Sequence, residues 1–321
     1  MNPIKIEGTD LAMLPIALGT ADYGTGVSRE QSFRMMDQFV EGGGSVIDSA
    51  RVYADWLPDG HGMSEKTVGD WLKTSGKRKQ ILLSTKGAHP RLSAMDVPRM
   101  SPQDIAADLE ESLTALGVDE IDLYWLHRDD RSRPVGEILE TLNQLKRDGK
   151  IRHFGCSNWR SDRIEEAAAY ARIQGLTGFA ASQIQWNLGQ INEEAILDPT
   201  MVIMDETEQH FHRETGMALF AFTSQARGFF QKMEAGGVES LRESTRSAYY
   251  NEINLGRLRR AVELSRQLSV SISVIVLSYL TSQPFPVIPV IGSQTPQQVN
   301  DALAAVEVRL TPAMVKYLEE G

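Results

Sequence analysis

Eight short apolar runs, each followed by a longer amphipathic stretch, constrain this chain more than any other feature of its sequence. The runs are Ile16-Ala17-Leu18-Gly19, Ser45-Val46-Ile47-Asp48, Ile81-Leu82-Leu83-Ser84-Thr85, Ile121-Asp122-Leu123-Tyr124-Trp125-Leu126, Ile151-Arg152-His153-Phe154-Gly155, Ala181-Ser182-Gln183-Ile184, Ala218-Leu219-Phe220-Ala221-Phe222 and Pro286-Val287-Ile288-Pro289-Val290. Runs of four to six residues bounded by turn formers read as strands buried on both faces, and the longer stretches between them as helices. Ser28 with Gln31 three residues on has capping-box spacing; Ser64, Ser101-Pro102, Pro134 and Ser161 open further helices, and Gly117 and Gly149 stand where helices stop. A polar-apolar hairpin at about 4–14 precedes the series. Eight βα units of roughly 30–40 residues are the count of a (β/α)₈ TIM barrel. A doubly wound sheet would show a glycine-rich first turn, but Gly19, Gly24 and Gly26 lack G-x-G-x-x-G spacing and Gly42–Gly44 lead into a strand. The fold class expected is therefore α/β, a barrel over 1–321 as one domain, since no linker or low-complexity tract divides the chain. Long loops are expected after the third strand, Gly87 to Met100, and after the seventh, Thr223 to about Tyr250; both leave the rim where barrels bind ligands, so a lid or specificity role is expected of them.

Composition narrows the partners. A net charge of −10 argues against nucleic acid or an anionic membrane as the main partner. No segment approaches the ~18 unbroken apolar residues of a membrane helix. Met1–Glu7 lack the basic start and apolar core of a secretory signal, and the single cysteine, Cys156, fits a reducing cytoplasm. Cys156 is expected to pack. His210 and His212 are two apart on a helical stretch and do not share a face, so no metal site is expected from them.

Three strand ends carry four polar residues that a barrel would bring to one rim: Asp48 and Tyr53 after the second strand, Lys86 after the third and His127 after the fourth. A tyrosine hydroxyl, with an ordinary pKa of about 10, becomes a better proton donor beside an ammonium that favours phenolate. Lys86 supplies such a charge, Asp48 would keep Lys86 protonated and placed, and a neutral His127 would orient a substrate oxygen. Together the four residues suit protonation of a carbonyl oxygen as hydride reaches its carbon.

Motifs in order along nearly the whole chain resemble those of the aldo-keto reductase family. They are Leu18-Gly19-Thr20, Asp48-Ser49-Ala50-Arg51-Val52-Tyr53, Ser64-Glu65-Lys66-Thr67-Val68-Gly69, Ser84-Thr85-Lys86, the stretch from Leu116 to His127, and Gly149 to Asn158. The resemblance implies a nicotinamide-dependent carbonyl reductase with Tyr53 as acid, Asp48 and Lys86 tuning it, and His127 orienting the carbonyl. It implies that Ser157, Asn158 and Gln183 hold the nicotinamide carboxamide, that Gly19, Thr20 and Asp48 touch the ribose, and that Phe222 stacks where the family usually has Tyr. Thr223, Gln225 and Arg227 follow in that segment, with Ser224 where the family often has Pro. Gly292, Ser293, Gln294, Gln298 and Asp301 would meet the adenosine phosphate end. That block has neither Lys nor Arg before Arg309, so Arg227 or Lys232 is the expected cation for a 2′-phosphate; NADP(H) is expected first and NAD(H) second.

Trp56, His89, Trp159, Trp186, Phe229 and Phe230 fall near the rim, and Trp56, Trp159 and Phe230 with His127 are the expected walls of a substrate pocket for a sugar, polyol or aromatic carbonyl. Two other classes compete with the reductase. A cofactor-binding regulatory subunit resembling potassium-channel β-subunits can keep the same four residues. A barrel glycosidase needs a second carboxylate opposite Asp129 or Asp130, and no later strand ends in one.

Overall fold

Parallel strands with covered faces demand unbroken apolar runs, and the chain closes such strands into a ring. The computed structural model describes residues 3–320. A two-stranded hairpin, β1 (Ile4–Lys5) and β2 (Ala12–Met13), precedes the barrel strands β3 (Ala17–Gly19), β4 (Val46–Asp48), β5 (Leu82–Gly87), β6 (Ile121–Leu126), β7 (Ile151–Ser157), β8 (Ala181–Gln185), β9 (Ala218–Phe222) and β10 (Val287–Ile291). Ladder pairing runs in sequence order and β10 returns to β3, which closes the (β/α)₈ barrel. The expected runs and the observed strands coincide within one or two residues. All six residues of β6 are buried, including Asp122, because its two faces meet the interior and the helix ring.

Leu123, Trp125, Phe220 and Ile288 pack inside the barrel, and Ile6, Leu11 and Met13 of the hairpin close on the same cluster. Trp125 meets Phe220 edge to face at 4.9 Å. A Cβ at Gly155, on the neighbouring strand, would sit 2.4 Å from the Trp125 ring, so the indole fits only beside glycine.

Helices α1 (Arg29–Glu41), α2 (Met63–Ser75), α3 (Pro102–Leu116), α4 (Val135–Arg147), α5 (Ser161–Gln174) and α6 (Glu206–Thr215) alternate with the strands. The Ser28–Gln31 capping box forms, and Ser101 caps α3 ahead of Pro102. Ser64 differs from expectation. Gly62 is the N-cap of α2, and the Ser64 hydroxyl instead donates to the Thr20 carbonyl at 2.8 Å and meets the Ser49 and Thr20 hydroxyls, so it braces the rim.

The stretch after β5 is irregular but anchored: Asp108 on α3 accepts from the Ala88 amide at 2.8 Å and from both Arg99 guanidinium nitrogens at 2.9 and 2.6 Å. The stretch after β9 is more ordered than a loop, since Phe229–Gly236 and Glu243–Tyr249 form α7 and α8 before α9 (Glu252–Leu268) and α10 (Ile272–Thr281). Gly228, Gly236 and Gly237 lie at the ends of α7. Residues 186–205 after β8 form a third long rim segment, anchored where the Gln185 amide donates to Val202 and the Met204 amide to Gln185. Helices α11 (Pro296–Ala305) and α12 (Pro312–Glu319) follow β10.

Candidate active site

Asp48 ends β4, Lys86 is the last but one residue of β5, and His127 directly follows β6, so the strand register sets all three at one mouth. The β4–β5 ladder continues past the strands, with the Ser49 amide donating to Ser84 and the Arg51 amide to Lys86 at 3.0 Å; this lays the Tyr53 turn over Lys86. Ala54 at φ +73° completes that turn. Arg51 holds it in place, its guanidinium reaching Asp55 at 2.9 Å, Glu111 at 3.2 Å and Asp108 at 3.5 Å.

The buried Lys86 ammonium donates to Asp48 at 2.5 Å, to the Ser49 carbonyl at 2.8 Å and to the Tyr53 hydroxyl at 3.0 Å. Three donors meet three acceptors, as a buried ammonium requires. Burial alone would lower the Lys86 pKa; the adjoining Asp48 carboxylate, with Tyr53, outweighs it and raises the pKa, so Lys86 stays charged. Asp48 is held in turn by the Ser84 hydroxyl at 2.5 Å, which receives the Trp125 indole N–H at 2.8 Å.

His127 is buried at the other side of the mouth, its ring 6.0 Å from that of Tyr53 and 4.8 Å from that of His89. Burial, helped by Arg128, holds its pKa well below the ordinary imidazole value, so the ring is neutral. Its Nδ1 has no hydrogen-bond partner among the described residues. His89, also buried, is pushed down to about 4 by desolvation and then by Arg128.

Glu65 on α2 accepts from the Thr85 hydroxyl at 2.6 Å, and burial pushes its carboxyl up to about 7 against an ordinary 4.5. Between those values the folded protein keeps a proton that the unfolded chain has released. The stabilisation is complete below pH 4.5 and is lost as pH rises through 7. Glu65→Gln removes this dependence: from pH 4.5 to about pH 8, its unfolding free energy should gain about 3 kcal/mol on the wild type, at about 1.4 kcal/mol per unit. Parallel urea-midpoint curves for the two proteins would show that Glu65 does not carry it.

The family profile of the aldo/keto reductases matches residues 15–321. The chain belongs to that family. Among relatives of this aldo-keto reductase, the oxidoreductase YrpG of Bacillus subtilis is 26% identical over 97% of this chain and 93% of its own. The norsolorinic acid reductase stcV of Emericella nidulans is 29% identical over 95% and 77%, and an aryl-alcohol dehydrogenase of Pestalotiopsis microspora 25% over 96% and 78%. The fold matches a thermostable aldo-keto reductase crystallised with the inhibitor epalrestat, TM-score 0.74 at 20% identity, 99% of each chain being covered. It also matches an aldo-keto reductase of Klebsiella pneumoniae in complex with NADPH, TM-score 0.72 at 18% identity over 99% and 94%.

The other expected site residues of this aldo-keto reductase divide. Gln183 and Ser157 sit opposite each other on β8 and β7, and the Gln183 amide nitrogen is 3.5 Å from Asp48. Asn158, at φ +61°, donates to the His127 carbonyl and Ser157 hydroxyl and accepts from the Val202 amide at 3.0 Å. Gly19 and the buried Thr20 adjoin Asp48, Thr20 donating to its carbonyl at 3.0 Å through the amide. Phe222 is half-buried at the end of β9, and Thr223, Gln225 and Arg227 follow it, with Thr223, Ala226 and Arg227 all at positive φ. Gly292 and Gln294 are exposed and Ser293 is buried. Gln298 accepts through its side chain from the Gln294 and Thr295 amides at 2.7 and 3.2 Å, and Asp301 accepts from Gln297 at 2.7 Å.

Two expected pocket walls are corrected. Trp159 is buried behind the barrel, its indole N–H on the Arg128 carbonyl and its ring 4.9 Å from Phe179. Phe230 is buried in the outer core against Phe229. Both follow rim strands but turn into helical packing, and loop aromatics give no sequence sign of that choice. Phe229 and Trp186 are core too, whereas Trp56 is half exposed, 6.4 Å from the Tyr53 ring. Cys156 and His212 are also core: burial pushes the Cys156 thiol up, and His212 bonds Ser182 and the Met217 carbonyl. His89 and the Arg128–Asp198 bridge of 2.8 Å are rim features not assigned a role from sequence, though Gly87-Ala88-His89-Pro90 after a strand marked the first.

Proposed function

We propose that this aldo-keto reductase reduces an aldehyde or ketone to an alcohol with NADP(H), Tyr53 being the proton donor. The observation that carries the reading is the buried run Asp48–Lys86–Tyr53, at 2.5 and 3.0 Å, facing a neutral His127. The nicotinamide cofactor supplies the hydride when bound. Tyr53 gives its hydroxyl proton to the carbonyl oxygen, and Lys86 balances the charge left on the phenolate. Asp48 keeps Lys86 charged and fixed. His127, in its Nε2–H tautomer, donates to the same oxygen and orients it. The names of the norsolorinic acid reductases and aryl-alcohol dehydrogenases among the relatives support an aromatic substrate over a sugar.

Gln183 and Ser157 fit a carboxamide, since each combines donor and acceptor beside Asp48. Phe222 offers a flat ring at the next strand end. Asn158 is a weaker candidate, because its amide is already spent on the protein. At the adenosine end the Gln298 side chain caps the amides that a phosphate would use, and the candidate cations are Arg227 and Lys232 from the segment after β9. Non-glycine residues held at positive φ on that segment suit a backbone shaped for a ligand.

Arg227→Ala is therefore expected to weaken NADPH about tenfold more than NADH, the scale of one charge-assisted contact. Quenching of tryptophan fluorescence during titration measures both. Equal losses would remove Arg227 from the 2′-phosphate.

A further inference from the structure

A cleft of 520 Å³ opens between the turn after β4 and the loop after β5, lined by both. Burial grades it from floor to lip: Asp108 and Arg51 lie deep, whereas Leu57 and Leu92 are 41% and 42% exposed. Trp56, 51% exposed and 6.4 Å from the Tyr53 ring, falls in the chain between the lining residues Asp55 and Leu57. Of the large apolar side chains exposed among the described residues, all but Ile173 on α5 belong to segments leaving the carboxyl ends of barrel strands. Apolar surface gathered at one rim marks what that rim binds.

His89 joins this cleft to the reacting centre, since it lines the cleft and packs 4.8 Å from His127. Its Nδ1 is 2.6 Å from the Pro90 carbonyl, which can only accept. A neutral His89 therefore carries its proton on Nδ1 and leaves Nε2 as a bare acceptor with no partner among the described residues. The two arginines whose charge bears most on this rim are spent, Arg51 on three carboxylates and Arg128 on Asp198, Thr200 and the His127 carbonyl, and Arg91 stands at the exposed lip. A group that brings its own O–H completes the site.

Resting on the reductase reading, we infer that this cleft is the subsite for the distal part of the substrate, and that it takes an aromatic ring bearing a hydroxyl. Trp56, Leu57 and Leu92 clasp the ring, and His89 Nε2 accepts from the hydroxyl. A small sugar or triose would leave the apolar lips wet and gain nothing from them.

The test compares kcat/KM for meta- and para-hydroxybenzaldehyde, benzaldehyde and glyceraldehyde. The wild type should prefer the better hydroxybenzaldehyde to benzaldehyde, and both to glyceraldehyde. His89→Phe keeps the ring contact with His127 and should lower the hydroxybenzaldehyde-to-benzaldehyde ratio about tenfold, the scale of one hydrogen bond in a desolvated site. Trp56→Ala, at an exposed position, should lower the benzaldehyde-to-glyceraldehyde ratio by a similar factor. Ratios unmoved in both variants, or a wild type that favours glyceraldehyde, would overturn the subsite while leaving the reductase intact. Failure to reduce any of the four would overturn the reductase reading and the subsite with it.

Discussion

Tyr53→Phe is expected to bind NADPH as the wild type does and to reduce carbonyls about a thousandfold more slowly, within the usual range for loss of a general acid. The substitution removes one oxygen. The Tyr53 ring keeps its edge contacts with Trp56 and His127, and Lys86 keeps Asp48 and the Ser49 carbonyl as acceptors. The loss should therefore fall on kcat and leave cofactor affinity alone. A variant with wild-type turnover would remove Tyr53 from the chemistry, and one that lost NADPH binding would show the hydroxyl to be structural.

Breaking the pair behind Tyr53 is expected to harm stability and activity together. Asp48 and Lys86 are at most 1% exposed and 2.5 Å apart, so Asp48→Asn leaves an ammonium uncompensated in the barrel. Such losses cost about 3–5 kcal/mol. Lys86→Met strands the carboxylate in the same way. The double variant removes both charges and should recover most of that stability while remaining inactive, because nothing balances the Tyr53 phenolate. Urea midpoints with turnover for the three variants separate these effects. Additive stability losses in the double variant would mean that the two residues do not act as a pair.

The fold was legible because a barrel repeats one signal. Runs such as Ile121–Leu126 are apolar on both faces wherever helices cover a parallel sheet, and each fell within a residue or two of its strand. The candidate catalytic set was legible for the same reason: a polar residue ending an apolar run has nowhere to go but the mouth. Side-chain direction on the rim segments was not. Trp159 and Phe230 look like Trp56 in sequence, but the first two turn outward into helix packing, a choice set by tertiary contacts such as Phe179 and Phe229. The cap that Gln298 forms over the α11 amides was likewise hidden, since a glutamine at that spacing serves a helix end or a phosphate equally well. His89 was visible only as a rim histidine; its bare nitrogen depends on the Pro90 carbonyl.

A single-turnover reaction tests the central claim most directly: protein saturated with NADPH is mixed with an aromatic aldehyde, and nicotinamide absorbance and alcohol formation are followed together. Reductase chemistry with Tyr53 as the acid predicts one alcohol formed per NADPH oxidised, fast in the wild type and nearly abolished in Tyr53→Phe. Tight NADPH binding with no aldehyde consumed would contradict it and favour a protein that holds the cofactor to sense it.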